Sequence, residues 1–183
     1  MAKWIFEPGH TSAEFKVRHM MVTYVRGSFK NVRGMLEFDH ENPKLAAVDV
    51  TIDAAEIWTG DSARDDHLRG ADFLDVENHP TITFKGNRVE VVGGHDYIVT
   101  GDLTIRGVTK TVPLNVQYLG QWDTPWWEDG EDKGPKRRAG FAAETAVNRH
   151  DFGVSWQAPL DNGGIVAGDT VYITLDAEAI LDD

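Results

Sequence analysis

Between Tyr97 and Tyr118 the chain alternates apolar and polar residues on either side of a short glycine-bearing turn. Tyr97, Val99, Leu103 and Ile105 fall on one parity, with Thr100, Asp102 and Thr104 on the other. Beyond Arg106-Gly107-Val108-Thr109-Lys110, the residues Val112, Leu114, Val116 and Tyr118 share a face, and Asn115 and Gln117 oppose it. Period two marks a strand with one dry and one wet side. Two such arms around a short turn predict a hairpin. The dry face of that hairpin needs a partner, and the rest of the chain must supply it.

The same rhythm recurs elsewhere. Trp4-Ile5-Phe6 starts a short strand turned by Pro8-Gly9, and Ala13, Phe15 and Val17 alternate with Glu14, Lys16 and Arg18. His19 to Val25 loses the pattern and predicts a helical turn or strand crossing. Arg26 to Phe38 then reads as one long strand, bent or bulged at Gly27 and Gly34. Val48, Val50 and Ile52 mark another strand, as do Ile82 with Phe84, Val89 with Val91, Phe141 to Val147, and Val171 to Ala179.

Two intervals break the rhythm. From Ala54 to Pro80, Asp61 or Thr59 can cap a helix over Asp61 to Gly70, with Asp65 and Arg69 as an i,i+4 pair and another short turn at Phe73-Leu74. From Gly120 to Arg138, a run of Trp, Asp, Glu, Gly, Pro and Lys reads as a long polar hairpin loop that folds back over one end of the fold. Asn148 to Asp169 is read mostly as loop.

One helix cannot cover that much sheet, so the strands must cover one another. A closed antiparallel barrel satisfies every dry face and removes exposed edges, and glycine bends in long strands favour it over a sandwich. The expected fold is all-β: one domain over residues 1–183, an extended antiparallel barrel with one or two short helices in the 54–80 interval.

Charge narrows the partners. Eighteen basic and 30 acidic side chains give a net charge of −12, which repels nucleic acid and disfavours docking on anionic membrane, although a local basic patch remains compatible with it. Cysteine is absent, which removes disulfides, thiolate nucleophiles and cysteine-type zinc sites. The apolar pattern starts as a strand with no leader-like run, so as written the chain is expected in the cytoplasm unless a leader has been removed.

Four places could carry chemistry. Asp61, Ser62, Arg64, Asp65, Asp66 and His67 crowd one helix, but Ser62 and His67 are five residues apart and face different sides. No catalytic constellation results, and an enzyme working through Arg64, Asp66 and His67 on a lipid-like substrate is the alternative reading. The seven histidines include no HxH or HxxxH pair, so spacing supports no metal site. Trp122, Trp126 and Trp127 could form a lid or a partner surface in a structural or interaction module. Finally, Phe15, Phe29, Phe38, Phe84, Leu103, Ile105 and Phe141 would converge inside a closed barrel, either filling it or lining a pocket for an elongated ligand.

A set of motifs resembles the YceI-like proteins. These are Trp4…Glu7-Pro8-Gly9-His10-Thr11…Phe15-Lys16-Val17-Arg18-His19…Arg26-Gly27-Ser28-Phe29, Arg64-Asp65-Asp66-His67-Leu68…Asp72-Phe73-Leu74-Asp75, His79-Pro80-Thr81-Ile82-Thr83-Phe84, Gly101 to Lys110, Asn148-Arg149…Asp151-Phe152-Gly153 and Gly168-Asp169-Thr170-Val171. Glu7 stands where that family usually has aspartate, and Thr11 where it usually has serine. The resemblance implies a lipocalin-like barrel holding a long-chain amphiphile, such as a polyisoprenoid, an isoprenoid quinone or a fatty-acid derivative, with no other cofactor. Many such proteins are periplasmic. The ligand-binding set it implies is Phe15, Val17, His19, Phe29, Leu36, Phe38, Arg64, His67, Leu68, Phe73, Phe84, Leu103, Ile105, Phe141 and Phe152. His19, Arg64 and His67 are the candidates for the head group. A homodimer is compatible with a barrel open at one end.

Overall fold

Alternation becomes strand throughout the computed structural model, which describes residues 1–182. The strands are β1 (Ala2–Phe6), β2 (Ser12–His19), β3 (Thr23–Phe29), β4 (Arg33–Phe38), β5 (Ala47–Asp53), β6 (Thr81–Gly93), β7 (Asp96–Ile105), β8 (Val108–Glu128), β9 (Glu131–Asn148) and β10 (Ala167–Leu181). The helix α1 (Ser62–Arg69) lies between β5 and β6. In the β7–β8 hairpin Ile105 pairs with Val108, leaving Arg106 and Gly107 alone in the turn with φ of +50° and +72°. That is the left-handed pair whose twist suits a tight hairpin.

All pairings are antiparallel, and the sheet closes. β10 pairs with β9 on one side; on the other its first half pairs with β2 and its last residues with β1. β1 and β2 therefore lie end to end, interrupted by a 3-10 turn at Pro8–His10. β3 pairs with β2 and β4 with β1, so these two also lie end to end. Ten strands thus occupy eight places around the barrel. We call the end holding the β2–β3 turn the mouth and the opposite end the floor.

The far side of β3 carries a single bridge, Ser28 to Trp58, among the described residues. The 54–80 interval fills the opening this leaves in the wall. Its helix starts at Asp61, whose carboxylate accepts from Arg64 N at 3.0 Å. Arg69 donates to Ala55 O (2.8 Å) and Ile57 O (2.9 Å), and buried Asp65 accepts from Thr59 N at 2.9 Å. These polar latches hold a helix too short to be stable alone. Arg69 pairs with Asp66 at 3.1 Å, not with Asp65, because Asp65 turns inward to Thr59.

Three other expectations are corrected. The Arg26–Phe38 stretch is two strands, broken at Lys30-Asn31-Val32, where Asn31 takes φ +56° and Val32 turns into the core. His19 to Val25 contains a hairpin turn at Met20-Met21-Val22, neither helix nor crossing. The Gly120–Arg138 segment is not a loop folded over the barrel. β8 and β9 continue through it as a two-stranded ribbon to a turn at Asp129-Gly130. Both faces of the ribbon are wet, which erases the alternation that marks the other strands. Trp122 and Trp127 stand 77% and 63% exposed on it. Trp126 lies under the Lys136 ammonium at 4.6 Å.

Candidate functional site: the barrel lumen

Inward side chains form two clusters, one towards each end. The floor is aromatic. Phe38 packs on Tyr118, Phe141 and Tyr97 at ring-centroid distances of 5.0, 5.2 and 6.3 Å, and Trp4 closes the bottom by donating its indole N–H to Phe38 O at 3.2 Å. Burial pushes the phenols of Tyr97 and Tyr118 above their ordinary pKa, with Asp96 adding to the first and Tyr97 to the second. They therefore stay neutral and leave the floor uncharged near neutral pH.

Above the floor the side chains do not meet across the barrel, and a cavity of about 680 Å³ remains. Val48 and Val50 on β5 and Val99 on β7 touch both clusters and line its waist on that side of the wall. Ala143 and Ala177 also line the cavity, and their small side chains leave its width free.

The fifteen residues assigned from sequence all border this cavity. Phe38, Leu36 and Phe141 lie towards the floor. Phe15, Val17, Phe29, Phe84, Leu103, Ile105 and Phe152 form the walls of the upper half. His19, Arg64, His67, Leu68 and Phe73 stand at the mouth.

The mouth is built by α1 and by the segment between β9 and β10. The His67 ring packs edge-on against Phe73 (5.0 Å) and Trp156 (5.1 Å), and its Nε2 lies 2.8 Å from Asp72. Arg64 donates to Thr59 Oγ1 (2.7 Å) and Thr59 O (3.0 Å). Buried Arg149 organises the other side, donating to the carbonyls of Val154, Trp156, Gly168 and Ala167 at 2.8 to 3.2 Å. Burial pulls its pKa below the ordinary arginine value, and Asp169 opposes that shift. Arg106 joins the two sides, donating to Phe73 O (2.9 Å) and Gly153 O (3.2 Å).

Arg64, Asp66 and His67 do not converge: Arg64 turns to Thr59, Asp66 to Arg69 and His67 to Asp72. One grouping of ligand-type side chains occurs among the described residues, Glu7, His10 and Glu178, within 4.8 Å of one another beside the β1–β2 break. Arg138 holds the Glu178 carboxylate there, which makes the group an ion-pair network. Sequence reading missed Trp156, Arg149 and the waist valines. The first two sit in a segment without periodicity, and the valines were read as strand without assignment to a site.

A cavity-bearing antiparallel barrel, apolar inside with a polar rim, is the class these features define. The family model described as "YceI-like domain" matches residues 4–179, and this chain belongs to that family. Among curated relatives, a UPF0312 protein of Pectobacterium carotovorum is 39% identical over 149 residues, 81% of this chain and 73% of the relative. Protein YceI of Escherichia coli is 39% identical over 148 residues, with the same coverage. Among solved structures, Burkholderia cenocepacia BcnA superposes with a TM-score of 0.80 at 23% identity, covering 94% of this chain and 98% of the other. A polyisoprenoid-binding domain from Saccharophagus degradans, implicated in plant cell wall breakdown, gives a TM-score of 0.67 at 14% identity, over 100% and 99%. At those identities both show the shared fold.

Proposed function

We propose that this protein binds and carries one long-chain amphiphile, a polyisoprenoid, an isoprenoid quinone or a fatty-acid derivative, with its tail in the lumen and its head at the mouth. The observation that carries the reading is the cavity of about 680 Å³, apolar along its walls and closed by aromatic rings at one end. Its size falls within the roughly 300–1,000 Å³ of pockets that bury most of a small ligand. Each buried methylene contributes about 0.8 kcal/mol, so a twelve-carbon tail offers about 10 kcal/mol before ordering costs.

Arg64 and His67 reach the mouth already engaged by Thr59 and Asp72, which favours a weakly polar head over a pyrophosphate. The relative from Saccharophagus degradans is described as a polyisoprenoid-binding domain, which supports the same class of ligand. Organic extraction of the purified protein followed by mass spectrometry tests the reading. Release of a stoichiometric long-chain amphiphile is expected. A protein that yields none, and that takes up no fluorescent long-chain acyl compound, overturns it.

A further inference from the structure

We propose that the β2–β3 hairpin docks the mouth of the barrel onto an anionic lipid surface, so that the amphiphile enters and leaves directly from a bilayer. This rests on the carrier reading above. The tip of the hairpin is apolar and exposed: Met20 41%, Met21 52% and Val22 79%. Met20 and Met21 adopt φ of +50° and +65°, a turn for which asparagine and glycine are the less strained choices. The turn is held firmly, with Met20 N donating to Val166 O (2.8 Å) and Arg18 Nη2 to Met21 O (2.8 Å). Val17, Arg18, His19 and Val25 of the same hairpin line the cavity, so the tip stands on its rim.

Behind the tip the outer face is basic. Lys16 lies directly opposite Arg26, an arrangement of like charges that a sheet otherwise avoids. Lys16 lies over the rings of Tyr24 and Tyr172, and Arg18 over Tyr24. Among the described residues Lys16, Arg18 and Arg26 form no ion pair with an acid, whereas nearby Asp169 is engaged by His150 at 2.8 Å. Acids also stand nearby: Glu14 shares this outer face, and Asp151 and Asp161 lie on the segment between β9 and β10. Asp61, Asp66 and Asp72 lie on the α1 side of the rim, where Arg69 engages Asp66 and His67 engages Asp72. Residues 12–30 carry four basic side chains and one acidic, 4 − 1 = +3, while the remainder carries 14 − 29 = −15. The charge is therefore split, and an anionic surface would turn this hairpin, and the mouth with it, towards the membrane. Apolar tip, tyrosines and cations follow in the order of an interfacial anchor.

The test is sedimentation of the full chain with vesicles of phosphatidylcholine alone or mixed equally with phosphatidylglycerol. Binding to the mixed vesicles alone, released by about tenfold more salt, is expected. Val22→Asp and the double change K16E/R26E should each lower the bound fraction by about fivefold or more. Uptake of a fluorescent long-chain acyl compound from solution should be unchanged. Val22→Ser, checked by thermal melting, serves if Val22→Asp unfolds. No binding to either vesicle, or binding unaffected by these changes, overturns the proposal. So does a Val22-dependent self-association without vesicle binding. Vesicle binding by a protein that takes up no acyl compound would leave the docking intact and remove the carrier reading instead.

Discussion

Phe15 lies across Gly27, its directly opposed neighbour on β3, so closely that a Cβ at Gly27 would sit 2.4 Å from the ring. Thr59 Cγ2 would lie 2.9 Å away on the same side. The missing side chain lets the Phe15 ring rest against the wall, tilted on Phe29 at 5.8 Å, with the lumen free beside it. Gly27→Ala should drive the ring into the lumen. Overpacking of this kind costs about 1–3 kcal/mol, readable by urea denaturation, and ligand capacity should fall with it. The pair Phe15→Ala with Gly27→Ala should restore capacity. If Gly27→Ala alone binds like the parent, the ring does not set the width of the channel.

The waist offers a cleaner separation of binding from folding. Ala143 faces the cavity between Val116 on β8 and Leu175 on β10. Ala143→Phe puts a ring into empty space and excludes about four methylenes of tail, which at about 0.8 kcal/mol each is roughly a hundredfold in affinity. Because the ring fills a void, the melting temperature should hold or rise. Titration with a fluorescent acyl compound beside thermal melting checks both, and an unchanged affinity would show that the tail does not reach the waist.

Arg149 carries a different expectation. Its guanidinium is the common partner of four carbonyls, those of Val154 and Trp156 in the segment joining β9 to β10 and those of Ala167 and Gly168 at the start of β10, and the residue is 5% exposed. Arg149→Met leaves those acceptors buried without donors, at about 1–3 kcal/mol for each that water cannot reach. A loss above about 3 kcal/mol is expected. Arg149→Lys should recover little, because an ammonium has three donors and no planar fork. Full rescue by lysine would mean that charge alone holds the loop.

Much of this was legible because burial on one face writes period two into a strand. Leu103, Ile105, Val112 and Leu114 announced the β7–β8 hairpin, and the alternating Phe15, Phe29, Phe38, Phe84 and Phe141 face one cavity. Arg64, His67, Leu68, Phe73 and Phe152, by contrast, border it from turns and a helix that only the family resemblance pointed to. Legibility failed where burial did not impose the pattern. The ribbon from Gly120 to Arg138 is solvated on both faces, so its strands hid in polar composition, although Asp129-Gly130 is a sound type I′ signal. Its cross-strand order rests on pairs such as Asp123 with Arg137 (2.8 Å), which holds the aspartate below its usual pKa. Whether Phe15 and Phe29 fill the barrel or line it could not be read from their identity. That outcome depends on Gly27, Ala143 and Ala177, whose place in the alternation marks the strand but not the width their small size leaves in the lumen.

Alkali should open the floor. Burial, as the chief cause, raises the Tyr97 and Tyr118 phenols above the ordinary tyrosine value. A group raised in the folded state stabilises fully below its unfolded pKa, about 10 for tyrosine, and loses that contribution as pH rises through the folded value. Urea stability should therefore be insensitive to these two groups up to about pH 10 and fall above it. Tyrosinate absorbance should show two late-titrating phenols, and ligand release should follow their ionisation, since a phenolate cannot remain packed on Phe38 and Phe141 without water. Replacing both with phenylalanine should flatten the alkaline fall while keeping the floor closed. If all four tyrosines titrate together at the ordinary value, the floor is open to water, and the tail has no closed end to rest against.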